Sequence, residues 1–337
     1  MKPVWRDLIK AAIIGFVAPA VVLSAALALG TENETPQGTA APTTQPSQTE
    51  PTTLPSIPDK TEPPEPAACH HISVLTEDGA VEMELESYVL GVVLAEVPSS
   101  FAPEALKAQA VAARTAALYI CQTGRHDGAV CVSFGCCQAY ISREDYFAVG
   151  GTEERLQKVW SAVSATAGQV VTYEGNLICA AYFSCSGGST EDAAAVWGSD
   201  VPYLQAVESP GEEFAAVFSD CFVFTAEEFQ QAMCIRIDGT PDSWFGEVTY
   251  TEGGGVATMV IGGVEYRGTT LRVLLGLRST AFSVTVTENV ITIETRGYGH
   301  RVGMSQYGAQ AMALAGRGYE EILRHYYRDA ELLEYSP

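Results

Sequence analysis

Residues 11–30 (AAIIGFVAPAVVLSAALALG) are an unbroken run of twenty residues without a charge. A helix needs about twenty apolar residues to cross ~30 Å of hydrocarbon, so the run suits a single membrane crossing. Lys2, Arg6 and Lys10 precede it, and positive flanks stay on the cytoplasmic side. The expectation is a cytoplasmic tail over 1–10, a transmembrane signal-anchor over 11–30, and a single-pass protein of the cell membrane with the rest outside. Pro19 is tolerable in such a helix. Ala26-Leu27-Ala28 also resembles a signal-peptide cleavage site, so clipping of the anchor stays open. Either way the chain leaves the cytoplasm.

Residues 31–68 are rich in Thr, Pro, Gln and Glu and lack apolar periodicity. Such a segment cannot bury enough surface to offset its ordering entropy, and it reads as a disordered linker. The head is then residues 69–337. Of the formal charge of −22, residues 1–30 carry +2, the linker −5 and the head −19. Phosphate backbones are bound through Lys and Arg, so this head excludes nucleic acid as a partner.

Within the head, HISVLT and VEMEL flank a turn at Glu77-Asp78-Gly79 and read as a strand pair. The pattern then becomes helical: Leu85, Tyr88, Val89, Val92 and Val93 recur at i, i+3, i+4, i+7 and i+8. Extending that stripe lands on Glu96, followed by Val97-Pro98, which stops the helix. Desolvation and the partial negative charge of a helix C-terminus both favour a protonated carboxyl there. That is the form needed to protonate a leaving oxygen. A glutamate that snorkels to solvent or pairs with an Arg fits the same spacing. Glu86 falls on the opposite face and is expected to be a solvated charge.

A second helix starts at Pro103, is dense in Ala, and stops at Gly124. So much Ala implies close packing. Gln109 and Arg114 are its odd polar residues; Arg114 is either a surface charge or a guanidinium that positions Glu96 or the substrate. Further on, LICAAYFSCS reads as one strand with Cys179 and Cys185 on the same face. Residues 214–290 read as an inserted α+β subdomain with a helix at TAEEFQQAM, short strands, and a helix near 269–277. Strands follow at 281–295, then helices at 305–314 and 320–327. The expected class is α+β, with mixed helices and antiparallel strands around a cleft.

The segment LESYVLGVVLAEVPSSFAPEALKAQAVAARTAALY (85–119) resembles the stage II sporulation protein D family, which includes amidase-enhancer proteins. SCSGGST (184–190) with VWGSDVPYL (196–204), LRVLLGLRSTAF (271–282) and RGYGHRVGMSQYGAQAMA (296–313) agree in order. The resemblance implies a lytic transglycosylase that cuts peptidoglycan between N-acetylmuramic acid and N-acetylglucosamine and leaves a 1,6-anhydro end. It places the catalytic acid/base at Glu96. It also implies substrate contacts from Gln109, Arg114, Ser186, Gly187, Gly188, Tyr203, His300 and Gln306, and glycan already stripped of its stem peptides. As partners it implies an amidase (stage II sporulation protein P) and a membrane scaffold (stage II sporulation protein M), in septal wall remodelling during sporulation. The chain departs from the pattern at Arg301, where Gly is expected after His300, and at Phe183 and Cys185, where a polar residue or His is usual.

Nine cysteines in an extracytoplasmic chain first suggest disulfides. The run RHDGAVCVSFGCCQAY, however, brings His126, Cys131, Cys136 and Cys137 onto one short loop, which suits a local disulfide or tetrahedral zinc. The resemblance implies structural or cleft-shaping Zn2+ held by His126, Cys131 and Cys137, with Cys136 a fourth ligand or a bystander. Cys179, Cys185, Cys221 and Cys234 stay unassigned. Unaided, Ser186-Gly187-Gly188 is either a tight turn or a close approach of backbone amides to sugar hydroxyls; Trp197 and Tyr203 are core, rim or stacking aromatics.

Two other classes compete with the enzyme: a non-catalytic glycan-binding enhancer of an amidase, and a Cys–His peptidase using Cys131 or Cys137. Catalytic zinc hydrolysis lacks a glutamate on a helix with two histidines.

Overall fold

The computed structural model describes residues 70–76 and 79–335. The anchor over 11–30, the linker over 31–68 and the turn residues Glu77 and Asp78 lie outside the described residues. Among the described residues, no helix is long and apolar enough to cross a membrane.

The chain opens with the antiparallel pair β1 (His71–Thr76) and β2 (Gly79–Glu84). α1 (Leu85–Glu96) follows, and its five-residue apolar stripe is buried in full, no member more than 2% exposed. α2 (Pro103–Gln122) has Pro at its start, and Gly124 leaves its end with φ +70°. This helix belongs to two cores at once. Ala105, Leu106, Ala110, Ala113, Ala117 and Leu118 pack with α1 and with Val159, Ala162 and Val163, while Ala108, Val111 and Ala112 pack into a second core. With methyls on both faces, neighbouring backbones can approach closely.

β3 (Val130–Cys131) adds to β1 in parallel, and α3 (Arg143–Ala148) and α4 (Glu153–Ala165) follow, each capped by a Ser or Thr hydroxyl. β4 (Gln169–Tyr173) pairs antiparallel with β5 (Asn176–Leu177). The single strand expected over LICAAYFSCS is broken. Ala180 N donates to Ile178 O (2.9 Å) and Ala181 N to Cys179 O (2.7 Å). Two successive bonds of that i+2 to i type curl the chain. It leaves β4 and re-forms as β6 (Tyr182–Phe183), which pairs in parallel with β13 (Met304–Ser305).

After α5 (Ala193–Trp197), residues 219–296 build a third core. β7 (Ser219–Thr225) leads into α6 (Ala226–Met233), whose Thr225–Glu228 capping box is complete. β8 (Phe245–Tyr250), β9 (Val256–Ile261) and β10 (Val264–Arg267) form one antiparallel sheet. α7 (Gly268–Leu274) precedes β11 (Ala281–Thr287) and β12 (Val290–Arg296), which form a second sheet with β7. The chain closes with β13, α8 (Gln306–Leu314), α9 (Tyr319–Tyr326) and β14 (Glu331–Glu334) on β4. The fold is mixed α+β with mainly antiparallel sheets.

Two charges stand differently from expectation. Glu86, expected in solvent, forms a bidentate pair with Arg114: Nε donates to Oε1 at 2.8 Å and Nη2 to Oε2 at 2.5 Å. Arg114 is fully buried and also donates to Gln169 O (3.1 Å). Gly168 N donates to Glu86 Oε1 (3.1 Å). The pair therefore staples the first turn of α1 to α2 and to the turn before β4; Arg114 neither faces solvent nor touches Glu96. Removing one partner of such a pair strands a buried charge, so Glu86→Leu and Arg114→Leu are each expected to destabilise by about 3 kcal/mol. The double variant should lose less than the sum, measured by urea unfolding.

Candidate functional site

Glu96 closes α1 just before Pro98, half-buried. Three neutral groups bond its carboxyl. Ala139 N donates to Oε1 (3.0 Å), Gln306 Nε2 donates to Oε2 (3.3 Å), and the Tyr182 phenol bonds it as well. Burial raises its pKa; the three bonds oppose that rise without cancelling it. The parallel pairing of β6 with β13 sets Met304 opposite Tyr182 and Ser305 opposite Phe183. Gln306 is the next residue, so two distant segments deliver Tyr182 and Gln306 to one carboxyl. Ser305 Oγ accepts from Gly308 N (3.1 Å) and starts α8 at that point.

Behind Glu96 lies a polar chain. Gln138 Nε2 donates to Tyr182 Oη (2.9 Å) and to Ala113 O (3.2 Å), and Tyr88 Oη donates to Gln138 Oε1 (3.2 Å). Burial holds the Tyr182 phenol well above the ordinary range, so it stays a donor. Tyr140 stacks on Tyr88 with centroids 5.6 Å apart. Its ring lies so close to Gly91 that a Cβ there would come within 2.3 Å. The run 138–140 thus gives a carboxamide bridge, an amide for Glu96 and a ring that fixes both. Tyr182 and Gln138 were missed by sequence reasoning; Gln138 stood beside a ligand candidate in the quoted CQAY run.

Cys137 links that run to the thiol–imidazole cluster. Ligand atoms of His126, Cys131, Cys136 and Cys137 all lie within 4.8 Å of one another. His126 Nε2 is 3.2 Å from Cys136 Sγ, and Arg125 Nη2 donates to the same sulfur (3.1 Å). Cys136 N and Cys137 N both donate to Ser133 O (3.0 and 2.9 Å). His126 and Asp127 sit at φ +48° and +59°, a left-handed backbone that turns the imidazole toward the sulfurs. The eight described cysteines are free thiols. Burial, with Cys131 beside it, pushes the Cys137 thiol up to about 12. Three sulfurs and an imidazole gathered so closely fit a soft tetrahedral cation.

The Ser-Gly-Gly loop faces inward. Glu212, fully buried, accepts from Ser186 N (2.7 Å), Ser186 Oγ (2.9 Å), Gly187 N (3.2 Å), Cys185 Sγ (2.9 Å) and Ser209 Oγ (2.5 Å). Ser186 and Gly187 therefore spend their donors on a carboxylate of the fold, and Gly188 N donates to Ser186 Oγ (3.0 Å). Tyr203 Oη accepts from Cys179 N (3.0 Å). His300 Nδ1 accepts from Val302 N (3.1 Å), and Nε2 is 3.2 Å from Tyr182 O. Its ring lies 5.4 Å from both Phe183 and Trp197. Burial and the nearby Arg272 charge push its pKa down to about 3. A neutral imidazole with its proton on Nε2 thus braces the strand that carries Tyr182.

Arg301 stands where the family resemblance predicts glycine, and its φ is +66°. Nε donates to Ser186 O (2.8 Å), Nη1 to Glu191 Oε1 (2.8 Å), and Nη2 to Ser189 O and Gly253 O (both 2.7 Å). Glu212, Glu191 and the Arg301 fan left no signal in the sequence.

Gln109 is 1% exposed, and neither atom of its amide has a protein partner. Leaving such a group unpaired costs about 1–3 kcal/mol. Gln109→Met is therefore expected to raise the midpoint in calorimetry. A rise with loss of glycan affinity would assign the amide to a ligand, and a fall would assign it to the fold.

The family described as Stage II sporulation protein matches residues 76–173, the stretch that holds Glu96 and the thiol cluster. Stage II sporulation protein D of Bacillus subtilis (strain 168) is 41% identical over 270 residues, 77% of each chain. Its namesake in Bacillus amyloliquefaciens is 39% identical over 267 residues, again 77% of each. A protein named amidase enhancer from B. subtilis (strain 168) is 31% identical over 304 residues, which cover 73% of this chain and 40% of that one. With that identity over more than two thirds of its length, the chain belongs to the stage II sporulation protein D family.

Proposed function

We propose that the protein is a peptidoglycan lytic transglycosylase whose acid and base are both Glu96. The observation that carries this reading is a half-buried carboxyl held by an amide, a carboxamide and a phenol, with its pKa raised by burial. No second carboxylate is among those partners. Hydrolytic glycosidases use two carboxylates, the second to activate water or attack the sugar. Glu96 donates its proton to the glycosidic oxygen as the C1–O bond breaks. The resulting carboxylate then takes the C6 hydroxyl proton as O6 closes on C1, giving a 1,6-anhydro end without water. Gln306 and Ala139 hold one carboxyl oxygen each, and Tyr182 steadies the carboxylate between the two steps.

The substrate in this reading is glycan stripped of stem peptides, during septal wall remodelling in sporulation. The apolar run over 11–30 anchors the chain in the cell membrane, N-terminus inside. A cell-wall amidase and a membrane scaffold, stage II sporulation proteins P and M, are its partners. His126, Cys131 and Cys137 would hold Zn2+, with Cys136 near enough to be the fourth ligand. When bound it would supply structural cross-linking, and Cys137, as a ligand, would then fix the segment whose amide meets Glu96. A non-catalytic glycan-binding enhancer is the second reading, favoured by the likeness to the amidase enhancer.

Full-length protein incubated with peptide-stripped strands should release 1,6-anhydro-muramyl products, detected by mass spectrometry. Glu96→Gln should slow release about a thousand-fold, within the range for a lost general acid. Absence of product from the unsubstituted protein favours the enhancer. Because the first step needs protonated Glu96, kcat/KM should fall as pH rises through its raised pKa. Tyr182→Phe removes a bond that favours the carboxylate, so the falling limb should move to higher pH.

Metal analysis should find about one zinc per chain, lost on Cys131→Ser. Chelation should lower both the unfolding midpoint and the rate. A metal-free chain of full activity would count against the zinc assignment.

A further inference from the structure

We propose that Phe214, backed by Tyr307, forms a stacking subsite for an N-acetylated sugar ring of the glycan, beside the cleavage position. The proposal rests on the glycan-cleaving reading and centres on Phe214, which lies outside every quoted motif; Tyr307 lies within the 296–313 stretch but has no role assigned there.

A row of three rings starts at the acid's own loop. Phe101 lies on the segment that leaves Glu96 at the end of α1, and it is 5% exposed. Its ring meets Tyr307 edge-on, with centroids 5.2 Å apart. Tyr307 directly follows Gln306, the residue that holds Glu96 Oε2, and is half-buried. Tyr307 in turn meets Phe214 at 5.8 Å and 58°, and Phe214 is 53% exposed. The rings thus pass from core to solvent beginning at the catalytic loop.

Both ends of the row are fixed. Ala102 N donates to Gln310 Oε1 (2.7 Å), and Lys158 Nζ donates to Phe101 O (2.6 Å), which ties the inner loop to α8 and α4. At the outer end, Phe214 lies between buried Glu212 and buried Ala215. Glu212 holds five donors, and Ala215 N closes a turn onto Glu212 O (2.8 Å). Gly211 lies against α8, where an added Cβ would stand 3.4 Å from Ala311 Cβ. Phe214 is therefore presented by a pinned loop and does not collapse onto the core.

A half-exposed aromatic face on a rigid loop forgoes burial that would stabilise the fold. A pyranose supplies the missing contact. Its C–H face carries slight positive charge and meets the negative face of an aromatic ring without any ionic group. That suits a head of charge −19, which gains nothing from displaying further carboxylates to a wall polymer.

The test uses the full chain carrying Glu96→Gln, which binds without cutting. The probes are N-acetylglucosamine hexamer and peptide-stripped strands, titrated calorimetrically. Phe214→Ala should weaken binding about ten-fold, as expected for one stacked ring, and Phe214→Trp should restore it. In the Glu96 protein, Phe214→Ala should raise KM and leave kcat little changed. Because the side chain is half-exposed, the unfolding midpoint should not move. Unchanged glycan affinity in Phe214→Ala overturns the subsite, as does a variant that loses affinity only for a cell-wall amidase. If the Glu96→Gln chain binds no glycan with Phe214 intact, the glycan-cleaving reading fails, and the subsite fails with it.

Discussion

The close packing allowed by α2 is the constraint on which the rest depends. Alanines occupy both of its buried faces, so α1 and α4 approach from one side while the strand-and-helix layer of β4, α8 and α9 approaches from the other. Two separate cores are thereby joined through one helix. Glu96 arrives from the first core at the end of α1, and Gln306 from the second at the start of α8. Their 3.3 Å contact exists because a thin helix lies between the two layers. Longer side chains at Ala108, Ala112 or Ala113 would push those layers apart, since native interiors have few voids to absorb a methylene.

Four glutamates are drawn inside this frame, and their partners divide their roles. Glu86, half-buried, and Glu191, buried, each face a buried arginine, Arg114 and Arg301, and serve as struts. Glu212 meets only neutral donors, but five of them, with no exposure. Glu96 also meets neutral donors, yet it keeps part of its surface open. Only Glu96 combines weak support of its charge with access for a substrate. That combination keeps a carboxyl protonated and usable.

What the sequence disclosed follows the range of the interaction concerned. The stripe from Leu85 to Val93 and the endpoint at Glu96 are local, fixed by a 3.6-residue period and a proline. The His126–Cys137 cluster is also local, and spacing found it. Glu86 was misread because its partner Arg114 comes from the next helix, and periodicity carries no information about that meeting. The strand expected over Leu177–Ser186 looked regular, but the β13 pairing that takes over at Tyr182 depends on residues beyond 300. Tyr182, Glu212 and the ring row through Phe214 share this origin in long-range contacts. Ser186 and Gly187 were visible as a loop. The donor direction that turns them toward Glu212 was not.

Arg301 shows how a residue that breaks a local rule can be held by distant ones. A left-handed backbone at a side chain other than Gly, Asn or Asp costs roughly 1 kcal/mol. Here the same backbone aims the guanidinium into a pocket of three carbonyls and one carboxylate. Glu191 Oε1 additionally accepts from Gly255 N and Thr251 Oγ1 (both 2.9 Å). The turn that supplies those donors must carry glycines. A Cβ at Gly253 would reach 2.7 Å from Glu191 Oε2, and one at Gly255 would reach 2.2 Å from Oε1. Arg301, Glu191, Gly253 and Gly255 thus depend on one another, and together they tie the β8–β9 turn to the Ser-Gly-Gly loop. Restoring glycine at 301 alone would relieve the backbone but strand Glu191 as an unpaired buried charge, a loss larger than the strain removed.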